Sequence, residues 1–161
     1  MVLPDHLTTR DGAYLLRRAD EADVAAIVAL LAADQLGATR DSADDLTPYA
    51  AAFRAIDADP AQQLLVVVDA PGDVVGTMQL TLIPGLARRG ALRMQIEAVR
   101  VQDTHRSTGL GAAMMEWAID DAGRRGCALV QLTSDKARVD AHRFYERLGF
   151  IASHEGYKLR L

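Results

Sequence analysis

The chain is poor in what disulfide-stapled, membrane-spanning and nucleic-acid-binding proteins require. It holds a single cysteine, Cys127, in 161 residues, so no internal disulfide can form and a reducing, cytoplasmic setting is expected. Cys127 opens an apolar run, Cys127-Ala128-Leu129-Val130, where a small packed thiol is the ordinary reading and a nucleophile the rare one. Aromatic residues make up only 5%. No stretch approaches the roughly 20 apolar residues of a bilayer-spanning helix, and residues 1–12 have neither the basic start nor the apolar run of a signal peptide, so no membrane partner is expected. A formal net charge of -4 and a pI near 5.5 argue against nucleic acid as the partner, because neutralising phosphates needs a basic surface. The four histidines, His6, His105, His142 and His154, show no ligand spacing, so no metal is expected.

What is present is enough apolar material for a core. Half the residues are hydrophobic and mean hydropathy is +0.01, which reads as a single globular domain over residues 1–161, with residues 1–12 loosely ordered. Tyr14 to Arg18 reads as a strand. Asp20 caps a helix whose apolar positions, Val24, Ile27, Val28 and Leu31, recur at helical spacing up to a stop at Gly37. Thr47-Pro48 starts a second helix, which Asp59-Pro60 ends. Leu64 to Val68, Val74 to Ile83 and Leu92 to Val101 read as three antiparallel strands. The first two are joined by Asp69-Ala70-Pro71-Gly72-Asp73 and the last follows a break over residues 84–90. A long helix follows Gly109, with Leu110, Ala113, Met114, Trp117 and Ala118 along one stripe. Leu129 to Thr133 is then a strand parallel to its predecessor, because a helical crossover separates the two. Ala141, Phe144, Tyr145 and Leu148 line a last helix, and Phe150 to Ser153 with Tyr157 to Leu161 give a final pair of strands. The class is α+β, a three-layer arrangement with a mixed, mostly antiparallel central sheet and helices on both faces.

The most informative segment is Arg106-Ser107-Thr108-Gly109-Leu110-Gly111, set between the strand ending at Val101 and the long helix. The first amides of a helix lack partners within it and carry the positive end of its dipole. Gly109 and Gly111 remove side chains that would keep an anion from those amides, and Arg106 adds positive charge at the mouth of the turn. A pyrophosphate fits such a turn. A Walker-type nucleotide loop does not, since no Gly-Lys-Ser/Thr follows.

The segment resembles the Arg/Gln-x-x-Gly-x-Gly/Ala signature of the GNAT superfamily of N-acetyltransferases. Downstream, Ala141-His142-Arg143-Phe144-Tyr145-Glu146-Arg147-Leu148-Gly149-Phe150 is similar to that superfamily's Ala-x-x-Φ-Tyr-x-x-x-Gly-Phe ending, where Φ is apolar. The likeness runs over residues 74–150 and holds in outline before that. It implies a GNAT-like acyl-CoA N-acyltransferase fold, with central parallel strands splayed to admit acetyl-CoA as co-substrate. It also implies that the backbone of Val99, Arg100 and Val101 pairs with the cofactor's amide arm. The amides of Arg106, Ser107, Thr108, Gly109, Leu110, Gly111 and Ala112 would hold the pyrophosphate. The implied acceptor is a primary amine of a small molecule or peptide, which attacks the thioester directly, and relatives are often homodimers.

Two residues stand where chemistry is needed. Tyr145 matches the tyrosine that relatives place near the cofactor sulfur, where a phenol can protonate the departing thiolate; the plain alternative is a packing aromatic. Glu97 sits in the apolar stretch Ile96-Glu97-Ala98-Val99, where partial burial would raise its pKa and suit it to act as a base. A structural ion pair with Arg93 or Arg100, or binding of the acceptor's ammonium, are the alternatives. Arg88, Arg89 and Arg93 are either a solvated basic cluster or a reader of a carboxylate on the acceptor. Departures from the family pattern are Asp103 in place of proline, Ser107 in place of glycine, and Arg138 in place of an asparagine that contacts the cofactor arm. The competing class is a non-catalytic acyl-CoA-binding sensor or interaction module that keeps the cleft; such a module needs neither Glu97 nor Tyr145.

Overall fold

The structure, a computed structural model, describes residues 3–33, 40–159 and 161. Gly37, expected to stop the first helix, lies outside them. The chain divides into two compact units, Met1–Gln131 and Leu132–Leu161, taken in turn below.

The sheet has six strands in the order β1-β2-β3-β4-β5-β6: β1 (Asp5–Thr9), β2 (Gly12–Arg18), β3 (Gln62–Val68), β4 (Val74–Pro84), β5 (Leu92–Val101) and β6 (Leu129–Leu132). Strands β1 to β5 pair antiparallel, each with the next. The Ala128 amide donates to the Leu92 carbonyl at 2.7 Å, and Gln131 Nε2 reaches Gln95 Oε1 at 2.7 Å. Both strands therefore advance together, as the helical crossover between them requires.

β1 falls within residues expected to be loosely ordered. The apolar signal there is thin because only Leu7 is buried; Trp117 Nε1 supplies the rest, donating to Asp5 Oδ2 at 2.8 Å. That bond ties β1 to α4 (Leu110–Arg124). It and the His6 amide keep the Asp5 carboxyl below its ordinary pKa even though burial pushes the other way.

Helices cover both faces of this sheet. Val66 and Val68 share a buried cluster with Ala19, Phe53 of α2 (Thr47–Ala58) and Val24, Ile27 and Val28 of α1 (Val24–Ala32). Val67, one step along the strand, faces the other way, as period two demands. A Cβ placed on Gly76 would lie 3.3 Å from Val67 Cβ and 3.2 Å from Met114 Sδ of α4, so glycine is what lets α4 settle this closely. Before α1, Asp20 and Asp23 form a reciprocal capping box around a 3-10 turn, Glu21–Asp23.

Two local departures shape the sheet. From Thr77 to Gln79 β4 takes two steps while β5 takes three, from Arg100 to Glu97, and Ala98 adopts φ 53°. This is a β-bulge, which bends β5 and re-aims the side chains beside it. In α3 (Ala87–Gly90), Arg88 and Arg89 both have left-handed backbones, which explains the break between β4 and β5.

The second unit holds α5 (Val139–Arg147). The Tyr145 ring meets Phe144 at 5.3 Å and Phe150 at 6.0 Å between centroids, both edge-on. The final strand pair expected at Phe150 to Ser153 and Tyr157 to Leu161 is absent from the described residues, which carry no strand there. Ile151, Tyr157 and Leu159 are exposed. Alternating apolar residues make a strand only where a neighbour accepts their backbone bonds, and this run has none in its own unit.

Candidate functional site

The turn ahead of α4 is built by backbone conformation. Asp103–His105 forms a 3-10 turn, Ser107 sits at φ 63° and Gly109 caps the helix at φ 93°. Ser107 thus occupies a left-handed position, which accounts for glycine at this place in relatives. A Cβ on Gly109 would meet nothing within 4 Å, so space opens directly before the helix.

Not all of the seven expected amides are available. The Arg106 amide closes the 3-10 turn onto the Asp103 carbonyl at 3.2 Å, and the Leu110 amide reaches Thr108 Oγ1 at 3.3 Å. Those of Ser107, Thr108, Gly109, Gly111 and Ala112 have no partner among the described residues. They stand at the positive end of a 15-residue helix, where an anion is best received. The Arg106 guanidinium is less free than its motif position suggests: it pairs with Asp103 at 2.8 Å and its Nε donates to the Val101 carbonyl at 3.3 Å.

Sequence reasoning missed Arg10. From the β1–β2 turn its Nη2 donates to the Ser107 carbonyl at 2.7 Å, and the two residues flank an open cleft of about 340 Å³ beside Thr108 and Ala112. No local pattern could show a contact across 97 residues. His105 is held between Asp69, at 3.9 Å from Nε2, and the edge of Tyr14.

Val99, Arg100 and Val101 lie past the bulge. Gly76 and Thr77 pair with Val101 and Arg100 on one side, and the Gln102 amide continues the ladder to the Val75 carbonyl at 2.8 Å. The contacts to β6 fall at Leu92 and Gln95, in the other half of β5.

Glu97 corrects the burial expectation. It is exposed, opposite Gln79, and forms no ion pair with Arg93 or Arg100 among the described residues. The reason is alternation: Met94 and Ile96 are buried on one face of β5, and Arg93, Gln95 and Glu97 stand on the other. Opposed residues of an antiparallel pair share a face, so Leu64, Gln79 and Glu97 form one row, and Gln62, Thr81 and Gln95 the next. Gln62 Oε1 accepts from Gln79 Nε2 at 3.0 Å and from Thr81 Oγ1 at 2.8 Å, making a held floor of amides on the face that α1 and α2 cover elsewhere. Alternation of Arg93, Gln95 and Glu97 in an otherwise apolar strand was the signal for it.

Cys127 is half-buried, and burial pushes its thiol pKa up, which suits packing. No group of histidine, cysteine and acidic residues able to hold a metal occurs among the described residues.

The family model for the GNAT acetyltransferases matches residues 15–150. A solved structure described as a transcriptional regulator from Bacillus halodurans C-125 superposes with a TM-score of 0.88 at 41% identity, covering 92% of this chain and 99% of that one. Among curated proteins, the chain is 32% identical over 83 residues to the aminoalkylphosphonate N-acetyltransferase of Salmonella typhimurium. It is 33% identical over 90 residues to the glucosamine 6-phosphate N-acetyltransferase of Trypanosoma brucei brucei. These matches take in 52% and 56% of this chain, and the chain spans little more than half the length of either relative, 53% and 59%.

Proposed function

The chain belongs to the GNAT family of acetyltransferases, and from that we propose that it transfers an acetyl group from acetyl-CoA to the primary amine of a small molecule. The observation that carries the reading is the set of unpartnered amides from Ser107 to Ala112 at the head of α4. Both curated relatives are named for acetylating small-molecule amines, which supports that acceptor class.

Acetyl-CoA supplies, when bound, an activated thioester whose thiolate leaves. The Ser107, Thr108, Gly109, Gly111 and Ala112 amides hold its pyrophosphate, and the backbone of Val99 to Val101 orients its amide arm. Glu97 accepts the proton that the acceptor's ammonium must lose before its nitrogen can attack, through water, since the carboxylate is solvent-exposed. As the new C–N bond forms and the thioester C–S bond breaks, Tyr145 Oη would give a proton to the leaving sulfur and regain one from solvent, into which the nitrogen sheds its second proton.

A second reading is an acyl-CoA sensor without turnover, favoured by the regulator description of the 41% identical structure. The net charge of -4 weighs against direct contact with DNA in that role. Thiol release over a panel of amines separates the two readings. Turnover of a small amine is the expected result; calorimetric binding of acetyl-CoA with no amine consumed establishes the sensor instead.

A further inference from the structure

We infer that the acceptor carries an oxyanion as well as its amine, and that Glu97, Gln95 and Arg93 read such a molecule end to end along one face of β5. The inference rests on the acetyltransferase reading above. The three residues alternate on β5 and oppose Gln79, Thr81 and Ile83 of β4, so they share one face, at Cα steps of about 6.8 Å. β5 has a strand on each side, so the exposure of Glu97 and Arg93 is no edge effect. Both side chains stand exposed on that face.

Neither charge meets an opposite one among the described residues, although each stands on an interior strand. Between them, Gln95 is half-buried and its Oε1 is fixed by Gln131 Nε2, while Gln62 ties down Gln79 and Thr81 alongside. The result is a graded strip: carboxylate, anchored neutral amides, guanidinium. A cationic amine is drawn to Glu97, hydroxyl or amide groups suit the middle, and a planar fork at Arg93 matches phosphate, phosphonate or carboxylate. The left-handed turn at Arg88 and Arg89 adds positive charge near the same strand end. A polycation meets repulsion at that end, and a plain alkylamine finds nothing there to bind.

The test compares kcat/KM for matched pairs: glucosamine 6-phosphate against glucosamine, 2-aminoethylphosphonate against ethanolamine, and 4-aminobutyrate against butylamine. The full-length protein should prefer the anionic member of at least one pair by about tenfold or more, and which pair it is distinguishes phosphate, phosphonate and carboxylate. Arg93→Gln should reduce that ratio by about tenfold, and Arg93→Lys should restore part of it, with thermal unfolding unchanged because the side chain is exposed. Turnover that ignores the anion, or a ratio untouched by Arg93→Gln, overturns this inference and leaves the acetyltransferase reading standing. No turnover of any amine overturns both.

Discussion

Arg10 Nη2 donates a 2.7 Å hydrogen bond to the Ser107 carbonyl, so the first hairpin of the chain holds the left-handed residue of the anion-binding turn. The Ser107 carbonyl is thereby occupied by Arg10, at the edge of the cleft that Thr108 and Ala112 also line. Arg10→Ala should weaken CoA binding about fivefold, the size of one exposed charge-assisted bond of about 1 kcal/mol, with little change in global stability. Isothermal calorimetry with CoA checks this, and an unchanged Kd shows that the turn holds its shape alone.

Gly109 does more. With φ 93° and open space where a Cβ would go, it is needed for conformation rather than for packing. Gly109→Ala should cost about 1–2 kcal/mol of stability through the left-handed backbone. The added methyl would also stand before the free amides, so the Kd for CoA should rise by about tenfold or more. A variant that melts lower yet binds CoA as tightly as the parent would move the pyrophosphate elsewhere.

How much of this was readable in advance follows from range. The turn at 106–111, the helices other than α3 and five of the six strands rest on local pattern, and apart from the stop at Gly37, which lies outside the described residues, their bounds fall within a few residues of expectation. β1 rests on Trp117 reaching Asp5 across 112 residues, which no local pattern contains. Glu97 was placed correctly on its strand but wrongly buried. An apolar neighbourhood in sequence describes both faces of a strand together, whereas exposure belongs to one face and depends on where the helices stop. The last two strands failed for the converse reason: apolar residues were present, and no pairing partner occurs among the described residues of their unit.

Tyr145 can be tested with its ring packing intact. Its ring packs on Phe144 and Phe150, and phenylalanine keeps both contacts while losing only the hydroxyl. If the hydroxyl protonates the leaving thiolate, Tyr145→Phe should lower kcat about tenfold to a hundredfold and leave the Kd for CoA within about twofold. Wild-type kcat in this variant would reduce Tyr145 to packing.

For Glu97, the diagnostic is the split between kcat and KM. A base acts in the chemical step, so Glu97→Gln should lower kcat by about tenfold or more and leave KM within about twofold. If Glu97 only attracts the ammonium, the substitution raises KM and leaves kcat in place. Recording kcat and KM separately for one amine decides between the two.

Asp23 links the fold to pH. It is buried at the junction of β2 and α1, where Arg17 Nη1 and Nη2 grip its carboxylate at 2.6 and 2.9 Å and the Asp20 amide adds a bond at 2.8 Å. Burial alone would raise its pKa, but the Arg17 bonds, the Asp20 amide and the guanidinium charge together hold it below the ordinary carboxylate value. A lowered folded pKa gives stability that is fully present above the unfolded value of about 3.9 and is lost as pH falls through the folded one. Asp23→Asn should therefore cost about 2–3 kcal/mol near neutrality, because it leaves Arg17 short of its counter-charge and opens half of the capping box. Urea unfolding from pH 7 downward should show that gap constant to about pH 4 and narrowing below it, as the parent's own carboxylate takes up a proton and loses the same charge. A gap of constant size through pH 3 would mean that side-chain shape, not the ion pair, joins the capping turn to β2.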